Sequence, residues 1–205
     1  MGSVHETVAG EQAYLSPEHR KMLTEESGIS PDVVAARGYR TVQDSEKLSQ
    51  LGFADYQRRV PGLLIPIRGT SEDVIFHRYR PDRPRKDDTK YEQPEGTSLV
   101  LDVPLPAQEY LRDVTRRLWI CEGEKKADTL VSRGEVALSI LGVWSWKKDD
   151  LLLPQWDHIS TIGRELLIAF DADAADKYQV RLARQTVAEV LLRRSGSTVM
   201  GGGCG

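Results

Sequence analysis

Apolar and polar positions follow two different patterns along this chain of 205 residues, and the pattern changes near residue 115. In the first part, apolar residues sit in short windows between regularly placed helix signals. Ser16-Pro17-Glu18 supplies a cap, a first-turn proline and an acid, which predicts a helix running to Ser27 and stopped by Gly28. Ser30-Pro31-Asp32 repeats the signal for a second helix ending at Gly38, and Asp44 or Ser45 caps a third over Glu46–Leu51, closed by Gly52. Pro61–Ile67 and Val74–Arg80 then read as two strands of a hairpin joined by the polar turn Arg68–Asp73. Leu99–Val103 reads as one more strand. Residues 1–15 carry little pattern and read as a loose arm, residues 16–115 as a helical and β-hairpin subdomain.

The second part, 116–205, alternates short apolar runs with helical pattern. Leu118–Cys121, Val136–Leu141 and Leu166–Phe170 are strand-length runs of the kind buried in a parallel sheet. Glu124–Ser132 reads as a crossover helix ended by Gly134. Ala174–Arg194 reads as a long helix with Val180, Ala183, Val187 and Val190 or Leu191 on one face. Pro154–Ser160 reads as a short helix or turn, and Ser197–Met200 as a final strand. The fold class expected is therefore α/β, a mostly parallel, Rossmann-like sheet flanked by helices, with an N-terminal α+β subdomain.

The first and third of these apolar runs end in acid. Glu122 follows one; Asp171 and Asp173 follow the other. Chemistry in open α/β sheets collects at the carboxyl ends of strands. Asp171 and Asp173, two apart on an extended chain, face the same way and can share one ion. Carboxylates gathered at one edge repel each other, and a hard cation that takes oxygen ligands, Mg²⁺ or Mn²⁺, relieves that repulsion.

Glu122-Gly123-Glu124-Lys125-Lys126-Ala127-Asp128 at one strand end and Asp171-Ala172-Asp173 at a later one resemble a Toprim domain, which is shared by bacterial-type primases, topoisomerases and some nucleases. The first segment is also similar to a Toprim-like family of unknown function carried on phages, plasmids and other mobile elements. Upstream, the strand with Pro66-Ile67, its partner strand, a basic loop and Lys90-Tyr91 before Pro94 are similar in order to the segment that precedes Toprim in the bacterial primase core.

The resemblance implies a Mg²⁺-dependent (or Mn²⁺-dependent) nucleic-acid enzyme. Asp171 and Asp173 would hold the metal. Glu122 would serve as a further ligand or as the base that takes a proton from a 3′-hydroxyl or water. Gly123 would let backbone approach an incoming phosphate. Primase-like nucleotidyl transfer in mobile-element replication is the leading reading. A Toprim nuclease, and a non-catalytic module working beside a replicative helicase or initiator, are the alternatives. The chain departs from many primase Toprim domains by placing Lys126 where they carry an acid, and by ending at Gly205 without a further acidic element, so a single metal is expected.

Composition narrows this only a little. The net charge of −3, from 28 basic and 31 acidic residues, does not advertise nucleic-acid binding, but local patches matter more than the sum. One such patch lies between Arg78 and Lys90, where six basic residues are flanked by Tyr79 and Tyr91. Arg83, Arg85, Lys86 and Lys90 there, with Lys125 and Lys126, are candidate contacts for single-stranded DNA or RNA and for nucleotides. Tyr91, Trp144 and Trp146 are candidate base-stacking residues, with capping of the core an equal alternative for the two tryptophans. Cys121 and Cys204 are the only cysteines, which predicts no zinc module and suits a reduced, cytoplasmic setting. No apolar stretch reaches the roughly 20 residues of a membrane span, and residues 1–12 have no apolar core of a secretory signal.

Overall fold

The computed structural model describes residues 14–85, 90–170, 177–195 and 199–201. Its elements follow the punctuation closely. Helix α1 (Pro17–Lys21) is capped by the Ser16 side chain and continues as a single π-helical turn, Met22–Glu26. Helix α2 (Pro31–Arg37) is capped by Ser30 and ends at Gly38, whose φ of 81° suits glycine. Strand β1 (Arg40–Val42), which the pattern did not announce, is followed by α3 (Ser45–Gln50). Strands β2 (Gly62–Arg68) and β3 (Val74–Pro81) form the expected hairpin, and β1 joins them in an antiparallel sheet of order β1-β2-β3.

Downstream come β4 (Leu101–Asp102), α4 (Leu105–Gln108), β5 (Leu118–Glu122), α5 (Glu124–Val131) and β6 (Val136–Ile140). A small hairpin, β7 (Lys147–Lys148) with β8 (Leu151–Leu152), stands where a plain loop was expected. Strand β9 (Leu166–Ala169), helix α6 (Lys177–Ser195) and strand β10 (Val199–Gly201) follow. The second sheet has the order β10-β9-β5-β6-β4. Its first four strands are parallel, and β4 closes the edge antiparallel to β6. The expected α/β class holds. The strand at Leu101–Asp102, which precedes residue 115, belongs to this parallel-rich sheet.

One apolar core runs through both sheets. It includes Leu63, Ile65 and Ile67 of β2, Leu118 and Ile120 of β5, and Leu138 and Ile140 of β6. Ala183, Val187 and Leu191 of α6 are buried, which is the face the sequence pattern predicted. Among the described residues, no helix is long and apolar enough to cross a membrane.

A second kind of bond joins the two sheets. Arg37 of α2 is buried and faces two buried carboxylates. Its Nη1 donates to Asp102 of β4 at 2.6 Å, and its Nη2 donates to Asp128 of α5 at 2.7 Å. The Tyr39 hydroxyl donates to Asp128 at 2.5 Å, and the Ser139 hydroxyl donates to Asp102 at 3.0 Å. Burial opposes the Arg37 charge, but the two aspartates outweigh it and hold the guanidinium protonated. Asp128 is thus a structural partner of Arg37.

His77 of β3 gives the fold a pH dependence. Burial, then the charges of Arg40 and Arg68, push its pKa down to about 4 from an ordinary 6.5. The unfolded chain therefore binds a proton that the folded chain refuses between those values. His77's share of stability is complete above about pH 6.5 and is lost as pH falls toward 4, a change of roughly 2 kcal/mol by pH 4.5. Urea unfolding at pH 7 and pH 4.5 is expected to show His77→Gln losing less stability than wild type over that interval. Equal losses would place His77's titration in the ordinary range.

Candidate active site

Strand β5 ends at Glu122, and the chain must turn at once to enter α5. Gly123 makes that turn with φ of 87°, a conformation that side chains other than glycine rarely adopt. A Cβ at Gly123 would meet nothing within 4 Å, so backbone conformation, not crowding, requires the glycine. The Gly123 N–H donates to the Ile140 carbonyl at 3.1 Å, fixing the turn against β6.

This turn forms the floor of a cleft of about 240 Å³ at the carboxyl edge of the parallel strands. Glu122, Gly123, Lys125, Lys126 and Tyr91, all named from the sequence, line it together. Arg78, which begins the basic patch read from the sequence, lines it too, as do Glu124, Leu141 and Gly142, to which the sequence reading gave no role. Glu124 is 1% exposed, and its Oε1 accepts from Arg78 Nη1 at 2.6 Å. The Arg78 guanidinium lies 4.6 Å over the Tyr91 ring, so one face of that ring is already covered. The two glutamates thus have different tasks. Glu124 is held in an ion pair that joins β3 to α5, while Glu122 brings its carboxylate to the cleft from the strand end.

Lys125 is half-buried beside Ser27, with Nζ 3.4 Å from the hydroxyl oxygen. Burial first, then the charge of Arg80, lowers its pKa below the usual lysine value; Glu26 and Glu124 oppose this and Lys90 adds to it.

Other expected residues lie elsewhere. Lys90 is exposed, and Arg83 lines a separate cavity with Arg59. Arg85 stacks over Tyr56 at 4.6 Å and approaches Glu92 at 3.6 Å. Trp144 is partly exposed, with the Lys147 ammonium 5.8 Å from its ring centre. For Trp146 the core alternative holds, and base stacking does not. It is 1% exposed and packs in the core, so it presents no face for a base. Lys86, Asp171 and Asp173 lie outside the described residues. Strand β9 runs parallel to β5 with Ala169 opposite Cys121, so the chain leaves β9 at the same sheet edge as Glu122.

Among the described residues, no group of three His, Cys, Asp or Glu is placed to hold a metal ion. Glu122 offers the cleft a carboxylate oxygen of the type that Mg²⁺ takes, while the Glu124 carboxylate is paired with Arg78.

A family model described as a domain of unknown function (DUF3854) matches residues 108–201. No curated protein matches the chain in sequence. Solved structures do match in fold. The Aquifex aeolicus primase, solved as its zinc-binding and RNA polymerase domains, has a TM-score of 0.64 at 19% identity over 91% of this chain. The DnaG catalytic core has a TM-score of 0.65 at 18% identity over 95% of this chain. The RNA polymerase domain of Mycobacterium tuberculosis primase DnaG, in complex with a double-stranded DNA oligomer bearing a 6-nucleotide overhang, has a TM-score of 0.59 at 16% identity over 93%. The chain spans 49% of the first of these structures, 66% of the second and 68% of the third. The fold is therefore that of a bacterial primase catalytic core.

Proposed function

We propose that the chain is a primase-like nucleotidyl transferase that acts on a nucleic-acid strand with Mg²⁺ or Mn²⁺. The observation that supports this best is the cleft itself. It places a strand-end carboxylate, Glu122, beside a glycine turn and among Arg78, Lys125 and Lys126, at the edge where β9 also ends. Carboxylate and cations at one cleft suit phosphoryl chemistry, which needs a proton acceptor and fixed positive charge around phosphate oxygens.

In this reading Glu122 takes the proton from the attacking hydroxyl, or shares a metal with Asp171 and Asp173. The metal, when bound, would polarise the phosphate oxygens. Arg78, Lys125 and Lys126 hold phosphate charge, and Gly123 keeps the floor open to it. Lys90, Arg83 and Arg85 belong to the loop that follows β3 and add electrostatic attraction for the strand.

Lys126 supports a second reading. An ammonium at the cleft opposes close binding of a further divalent ion. A module that binds nucleic acid without catalysis, beside a helicase or initiator, would also carry such a surface. One assay separates the two. The protein is incubated with Mg²⁺ or Mn²⁺, a single-stranded template and labelled nucleotides. Extended product is the expected result. A cut template assigns a nuclease, and retained binding with no product assigns the module.

A further inference from the structure

The β7–β8 hairpin borders a groove that the reaction at the cleft does not use. Asp149 and Asp150 form its two-residue turn with φ of 50° and 62°, the left-handed pair that so tight a turn requires. Its base is fixed to the core: the Trp146 carbonyl accepts from Leu153 N–H at 3.3 Å and from Trp156 Nε1 at 3.1 Å. The hairpin therefore makes one firm wall. The segment Gly96–Leu99, which leads into β4, makes the other, and a groove of about 690 Å³ lies between them. Leu101 of β4 stands opposite Ile140, the last residue of β6, so this segment passes the carboxyl edge of the sheet. The groove shares no lining residue with the cleft at Glu122.

The lining has the make-up of a small-molecule site: apolar walls with few polar groups, in a volume within the range of about 300–1,000 Å³ that such sites span. Leu99, Leu152, Leu153 and Pro154 supply apolar surface, and Leu151 is 73% exposed. Covering so exposed an apolar side chain is favourable. Gln155 supplies the polar group. Its Oε1 is buried and accepts no hydrogen bond among the described residues. A buried carbonyl oxygen without a donor is costly, and a ligand that brings a donor relieves the cost. Beside that oxygen the same amide carries two N–H donors. The groove thus offers an acceptor and a donor side by side within apolar surroundings. Adenine presents the complementary pair, an amino donor next to a ring-nitrogen acceptor, on a flat ring, and a glutamine amide pairs with it through both. Lys148 lines the groove as well and is exposed, which suits the negative charge that an adenine nucleotide carries.

We propose that this groove binds an adenine base, paired with the Gln155 amide and packed against Leu99, Leu151 and Pro154. The base has two sources of one chemistry, a free adenine nucleotide or an adenine in a nucleic-acid strand. The site adds to the reading above without resting on it, because neither source needs the reaction at Glu122.

Gln155→Met and Leu151→Asp test it. The first keeps the length of the side chain and removes both hydrogen-bonding groups. The second puts a charge on the wall at an exposed position, where the fold tolerates it. Binding of AMP, GMP, oligo-dA and oligo-dT is measured by calorimetry at fixed salt, alongside thermal unfolding. Wild type is expected to prefer AMP to GMP, or oligo-dA to oligo-dT. Both variants are expected to lose at least about tenfold for the preferred ligand, the size of one bidentate base contact. Preference between the mononucleotides assigns the free nucleotide, and preference between the strands alone assigns the strand. The melting temperature of Gln155→Met is expected at or above wild type, because the unpaired oxygen is gone, so its loss of binding is not a loss of fold. No binding by wild type, no preference for adenine, or a preference that both variants keep overturns the site. None of these outcomes bears on nucleotidyl transfer, which the template assay reads separately.

Discussion

Replacing Arg37 by Met is expected to cost about 3–5 kcal/mol of folding stability, the largest loss from any single side chain outside the apolar core. The reason is what it leaves behind. Asp102 and Asp128 are both fully buried, and Arg37 is the cation that meets each of them, at 2.6 and 2.7 Å. Without it, two carboxylates share a dry site with only hydroxyls and backbone donors to satisfy them. Against a typical total of about 5–15 kcal/mol, the loss brings the protein close to unfolding.

The penalty also carries a pH signature. In the variant, burial and mutual repulsion raise the folded-state pKa of the two acids above their unfolded values. Their protonated forms are then tolerated below the unfolded range near 4, and stability falls as pH rises through the raised folded values. Urea unfolding of Arg37→Met is expected to show a smaller deficit against wild type at pH 5 than at pH 7.5. Tyr39→Phe, which removes one hydrogen bond to Asp128 while Arg37 remains, is expected to cost only about 1–2 kcal/mol. A pH-independent deficit in Arg37→Met, or one no larger than that of Tyr39→Phe, would show that the aspartates do not depend on the arginine.

This network marks where sequence reading stops. Ser16-Pro17, Ser30-Pro31 and the glycines that end helices are local signals, and the structure uses them as read, down to the capping bonds of Ser16 and Ser30. The strand runs at Leu118, Val136 and Leu166 were legible because a strand buried on both faces must be apolar throughout. Arg37, by contrast, sits in a helix with no sign of its partners, which lie 65 and 91 residues away. Asp128 looked like a possible member of the Glu122 motif because it is near in sequence. It lies on α5 one helical turn beyond Glu124, farther from the strand end, and its carboxylate is buried against Arg37 and Tyr39.

The site was legible to a similar degree. Glu122-Gly123 at a strand end marked the turn, and Lys125, Lys126 and Tyr91 line the same cleft. The pairing of Arg78 with Glu124 was missed because each looks ordinary alone: one charge in a strand, one acid in a helix's first turn. A signal was available in the alternation of β3, where Arg78, Arg80 and Asp82 occur two apart and so face one side. Trp144 and Trp146 stay open between core and surface in the sequence because they lie in the turn before β7, where strand alternation does not apply; one ring is 36% exposed and the other 1%.

Glu122→Gln is expected to reduce metal-dependent nucleotidyl transfer by at least about 100-fold while leaving thermal unfolding close to wild type. Glutamine keeps the shape of the side chain at the end of β5. It removes the negative charge that would accept a proton or hold a metal, and loss of such a group typically costs 10²–10⁴ in rate. Asp171→Asn and Asp173→Asn should abolish the same activity if all three acids serve one ion. Glu124→Gln is the informative contrast. It lies two residues away and lines the same cleft, but its carboxylate is closed by Arg78 at 2.6 Å. Its substitution is expected to lower stability by about 1–3 kcal/mol, by weakening a nearly buried ion pair, and to reduce the rate less than Glu122→Gln does. Initial rates on a single-stranded template with labelled nucleotides, measured across a Mn²⁺ titration, check the whole set. Wild-type rates in Glu122→Gln, or a larger rate loss in Glu124→Gln than in Glu122→Gln, would move the reactive carboxylate from the end of β5 to the first turn of α5.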